Sequence, residues 1–238
     1  MKPNSPSIDS SLAPRARHAG PPLLPVALAY SALMVAGAIT LSATFSSPHA
    51  PGQETMAYIE RFGWRIRLGS FFELGSAIPL GVFVATVVSR LRFLRVRAAG
   101  EVIALCGGFG AMGMLMLSAL SGWSVTRPGM AESGGAVQVL QALSFAGGGP
   151  GFVAPLGLFL AGVSVTAGLH RLIPRWLMWL GILVAAACEL ATLTLLVWNA
   201  AYFIPMGRFL GVVWMIGVAV TLPSVTGGAD REESKTAA

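Results

Sequence analysis

The sequence predicts an all-α fold: a transmembrane bundle of about six helices with both termini on the cytoplasmic side. Three observations carry this. Of the 238 residues, 55% are hydrophobic and only 11% are charged, against about 25% charged in soluble domains. Mean hydropathy is +0.72. The apolar residues also come in runs long enough to cross hydrocarbon about 30 Å thick, which takes roughly 20 helical residues. A soluble enzyme, a nucleic-acid-binding domain and a disulfide-stapled secreted domain are thereby excluded. The net charge of +6 arises from short basic clusters between apolar runs, so it speaks of membrane orientation rather than of nucleic acid.

The elements follow in order. Residues 1–20 are Pro/Ser-rich and basic and lack the apolar surface to fold, so they read as a flexible tail. Residues 21–225 form the transmembrane domain, and 226–238 a second polar tail. The first span, Pro22–Phe45, is too long for a signal-peptide core of about 7–15 residues and reads as retained. The others are Ile66–Val88, Val102–Trp123, a fourth ending at Leu169, Trp176–Trp198 and Phe203–Pro223. The fourth is ambiguous. Its apolar pattern begins near Val137, breaks at Gly147-Gly-Gly-Pro-Gly151 and resumes at Phe152, which fits either one kinked helix or a surface helix followed by a span.

Basic residues set the orientation. Lys2, Arg15, Arg17, Arg90, Arg92, Arg95, Arg97, Arg171, Arg175, Arg231 and Lys235 fall on one side. Only Arg61, Arg65, Arg67, Arg127 and Arg208 fall on the other. The positive-inside rule makes the richer side, with its Arg90–Arg97 loop, cytoplasmic. Trp64, Trp123, Trp198 and Tyr202 then mark the outer interface, and Trp176 and Trp179 the inner one. A string Pro-x-Gly-x-Phe recurs from Pro79, Pro155 and Pro205, although its unequal spacing argues weakly for a repeat.

No catalytic signature and no metal-ligand spacing is present, and no cofactor is expected. His18, His49 and His170 fall in a tail, an outer loop and an inner loop. Cys106 and Cys188 read as free thiols within spans. The informative residues are ionisable groups in apolar segments, where a charge costs several kcal/mol and faces a partner or a water-filled cavity. Glu73 and Glu189 each lie nine residues from an interfacial Trp, roughly 14 Å inward, and Arg208 lies roughly 9 Å inward from Tyr202 at helical rise. Spans five and six share a short connection, so Glu189 and Arg208 are expected to pair across that hairpin. A ligand-binding layer of Glu73, Glu189 and Arg208 is the functional alternative. Glu101, at the start of span three, suits the positive end of a helix, and the many glycines permit close helix packing.

Three segments, Phe72-Glu-Leu-Gly-Ser-Ala-Ile-Pro-Leu-Gly, Ser144-Phe-Ala-Gly-Gly-Gly-Pro-Gly-Phe and Leu172-Ile-Pro-Arg-Trp-Leu-Met-Trp-Leu-Gly, together with Pro205-Met-Gly-Arg-Phe, resemble a family of bacterial six-span membrane proteins, the domain of unknown function 4386 type. The resemblance covers roughly residues 20–225. It implies an integral protein of the bacterial inner membrane and transfers no activity or site residues. The expected role is therefore a non-enzymatic structural, regulatory or interaction subunit, with a small permease as the alternative. Its expected partners are membrane lipids and a second copy or another membrane protein met through glycine faces, with no nucleic acid.

Overall fold

A computed structural model describes residues 17–42, 52–130 and 133–225. Both expected tails, apart from residues 17–20 and the junction at Val225, and the loop around His49 lie outside them. The described residues are almost entirely helical: α1 (Leu23–Ser42), α2 (Gly52–Phe93), α3 (Ala99–Val125), α4 (Gly134–Gly148), α5 (Pro150–Leu169), α6 (Arg175–Leu190) and α7 (Phe203–Thr221). Six helical stretches are long and apolar enough to cross a membrane, with α4 and α5 together making one of them.

The boundaries depart from the hydropathy reading in two places. Helix α2 has 42 residues, about 63 Å at helical rise, and begins well before Ile66. Hydropathy stops where Glu60, Arg61, Arg65 and Arg67 begin, but these residues are good helix formers and the helix continues through them. Helix α6 ends at Leu190, not Trp198, and two short 3₁₀ turns, Ala191–Leu195 and Trp198–Tyr202, lead into α7. The β-branched Thr192, Thr194 and Val197 fall where the α-helix gives way, and Thr192 turns its hydroxyl back to the Glu189 carbonyl at 2.6 Å.

The fourth segment is one element with a break, not a surface helix and a span. Gly122 approaches Ser144, Gly148 approaches Ser118, Gly107 meets Pro155 to Phe159, and Gly100 meets Gly162 and Thr166. Helices α4 and α5 thus run antiparallel along the whole of α3. At the junction Gly149 adopts φ −90°, ψ −110°, and Pro150 has no N–H to return to the Ala146 carbonyl. The Pro-x-Gly-x-Phe strings do not occupy matching places: Pro79 is deep inside α2, Pro155 is in the second turn of α5 and Pro205 is in the first turn of α7.

The core runs through the end of the bundle that holds the Arg90–Arg97 loop. Phe159 packs edge-on against both Phe83 and Trp214, at 6.2 and 5.8 Å between ring centres, and all three are fully buried. The closest helix approach depends on glycine. A Cβ on Gly107 would lie 2.6 Å from the Pro155 carbonyl oxygen and 2.7 Å from the Phe159 nitrogen, so only glycine lets the backbones of α3 and α5 come this near. Across the turn between α2 and α3, Arg92 donates to Glu101 Oε1 at 3.0 Å, which adds a cation to the favourable N-terminal place of that carboxylate. Cys106 is exposed and Cys188 buried, and both are free thiols.

Candidate functional site

Five helices stop packing together at the end opposite the Arg90–Arg97 loop, and a cavity of about 460 Å³ opens there. Its walls come from the last turns of α1, the first half of α2, the last turns of α3, the second half of α4 and the first turns of α7. Most of the surface is aliphatic, from residues such as Met34, Leu41, Ile66, Leu115 and Ile204. Polar groups gather in one layer. Glu73 from α2, Ser118 from α3, Ser144 and Gly148 from α4 and Arg208 from α7 all line it.

The α4–α5 break organises that layer. Once the helix turns aside at Gly149, the carbonyl of Gly148 is released from the helical ladder, and Arg208 Nη2 donates to it. The same nitrogen lies 3.5 Å from Glu73 Oε1, and the guanidinium carbon sits 5.1 Å above the Phe152 ring. Ser118 Oγ lies 3.1 Å from Glu73 Oε1 and 2.9 Å from the Ser144 carbonyl, and Ser144 Oγ returns a bond to the Ser118 carbonyl at 3.0 Å. A desolvated charge needs a partner of opposite sign and further hydrogen bonds to be tolerable. Glu73 and Arg208 supply this to each other, with side chains 12% and 21% exposed.

The layer is not saturated. Among the described residues, every bond to the Glu73 carboxylate falls on Oε1, and Arg208 Nε is buried with no acceptor. The site can therefore offer an acceptor oxygen and a cationic donor to a polar group entering from the apolar slot.

Of the three residues expected to form the layer, Glu73 and Arg208 meet and Glu189 does not join them. The expected Glu189–Arg208 pair is absent among the described residues. The facing differs. Cys188 points at α5 and α7, against Gly157 and Gly207, which leaves the next residue, Glu189, on the rim of α6 with its Oε1 near Gly157. Arg208 turns the other way, towards α2 and α4. The 3₁₀ turns also void the assumption of a continuous helix from Glu189 to Trp198. Sequence reading missed Ser118, Ser144 and the Gly148 carbonyl. The glycine break was visible, but the released carbonyl it would present was not inferred.

No family model matches the chain, and no curated protein or solved structure matches it either.

Proposed function

We propose that the chain is a multi-pass protein of the bacterial plasma membrane that binds and carries a small amphipathic molecule. The apolar body of the ligand would fill the slot and its polar group would engage Glu73 and Arg208. One observation carries the reading: an open, mainly aliphatic cavity of about 460 Å³, within the range of ligand sites, with a few convergent polar groups. Such a cavity favours a non-enzymatic permease over a purely structural subunit. The basic asymmetry supports a cytoplasmic Arg90–Arg97 loop and a cavity that opens outward. The resemblance to the bacterial six-span family fits this placement and adds no activity.

A packing role is the second reading, and the Arg208 bond to the Gly148 carbonyl favours it, because that bond ties α7 to the α4–α5 break. Thermal unfolding of purified protein in detergent, with decanoate, decylamine and decanol added in turn, separates the two. A binder is stabilised by mass action. Ala38→Trp, which fills the slot from α1, should abolish that stabilisation while the unliganded protein stays folded. If none of the three probes raises Tm above that of the Ala38→Trp protein, the packing reading stands.

A further inference from the structure

A second hollow, of about 580 Å³, lies at the same end of the bundle where the start of α2, the end of α3 and the 126–129 turn converge. It differs from the first in character, because Arg67, Arg127 and Glu60 line it together with Trp64 and Trp123. Neither guanidinium has a carboxylate partner among the described residues. Arg67 Nε reaches only its own helix, at 3.5 Å from the Gly63 carbonyl, and Arg127 stacks over the Trp123 ring at 4.9 Å. Both side chains are exposed and line the hollow.

These arginines stand on the side of the bundle that is poor in basic residues, against the usual bias, and at the level of two indoles. Exposed indoles mark the headgroup region: Trp64 is 58% and Trp123 43% exposed. Towards the middle of the bundle the same two helices expose Leu68 and Phe71 on α2, and Leu117 and Leu120 on α3. A cationic hollow at the interface with an apolar surface below it matches the shape and charge of one kind of molecule.

We infer that this hollow binds the phosphodiester headgroup of a membrane phospholipid, with the phosphate between Arg67 and Arg127 and the acyl chains along the exposed faces of α2 and α3. Guanidinium donors suit phosphate oxygens. Glu60, on the same wall, accepts from the hydroxyl or ammonium group beyond the phosphate. This hollow shares Ile59 and Val125 with the slot, but its charged groups are different ones and the inference does not depend on the slot's ligand.

Native mass spectrometry of the full chain released from detergent tests this, with dioleoylphosphatidylglycerol, dioleoylglycerol or sodium phosphate added. The phospholipid should be retained in preference to dioleoylglycerol, which has the same chains and no phosphate. Arg67→Gln/Arg127→Gln should weaken phospholipid retention by about tenfold or more, a loss of about 1.4 kcal/mol or more. Binding of dioleoylglycerol should not change, and Arg95→Gln/Arg97→Gln at the other end should leave both intact. Equal retention of the two lipids, or full phospholipid retention by the Arg67/Arg127 variant, would overturn the inference. So would displacement of the phospholipid by inorganic phosphate, because the site would then belong to a soluble phosphate ester.

Discussion

Removing the Arg208 side chain perturbs three contacts at once. Arg208→Leu strips Glu73 of its counter-ion, leaves the Gly148 carbonyl without its donor and uncovers the face of Phe152. Breaking a buried pair by deleting one partner costs about 3–5 kcal/mol, and the orphaned carbonyl adds about 1–3 kcal/mol. At about 2–4 °C per kcal/mol for a chain of this size, Tm should fall by roughly 10 °C or more. Glu73→Gln keeps an acceptor for both Ser118 and Arg208 and should cost less than half as much. Glu73→Leu/Arg208→Leu should recover part of the loss, with a coupling energy of about 1–3 kcal/mol. Glu189→Leu should be close to neutral and additive with Arg208→Leu. A maleimide dye that reads exposure of the buried Cys188, in a Cys106→Ser background, gives the unfolding curve in detergent. Additivity between Glu73 and Arg208, or coupling between Glu189 and Arg208, would refute the reasoning.

Two further outcomes follow from other parts of the fold. Gly107→Ala should destabilise by about 1–3 kcal/mol in the same assay, because the new methyl lies 2.6 Å from the Pro155 carbonyl; Gly113→Ala, where the methyl meets open space, should be neutral. The second concerns His18, which donates its backbone N–H to the Ser224 carbonyl, bonds Ser89 Oγ at 3.0 Å and packs on Phe93. Burial first, and then the Arg90 charge, holds its imidazole below the ordinary 6.5. The unfolded chain therefore binds the proton more readily, so this contribution is complete above pH 6.5 and fades as pH falls through the folded value. Tm measured between pH 7.5 and 5 should drop more for the wild type than for His18→Gln.

The membrane class and the number of helices were legible because hydrocarbon thickness acts on composition, and composition is local. The paired ionisable groups were legible for the same reason, since Glu73 and Arg208 are costly wherever they face. Which one meets which was not legible. Depth along a helix follows from counting residues, whereas direction depends on how neighbouring helices rotate, and here a single cysteine packed between Gly157 and Gly207 decides it for α6. The length of α2 was hidden because a hydropathy window sees only where hydrocarbon ends, and Glu60 to Arg67 propagate a helix in water as readily as apolar residues do in lipid. The break at Gly149 could be seen in the letters, but not that it would hand a carbonyl to a residue 60 positions away.

The uninterrupted run of α2 has one further consequence. Tyr58 and Ile59 at the mouth of the slot and Glu73 and Ser76 deep within it belong to the same helix, so their directions are locked by its 3.6-residue turn. A flexible loop at residues 52–63 would absorb an inserted residue, but this rod cannot. One extra residue between Gly63 and Glu73 would swing the mouth through about 100° relative to the charged layer, while four would bring it nearly back into phase. The outermost turns of α2 thus carry an angular memory of the membrane interior, and the spacing of this stretch is constrained as tightly as its chemistry.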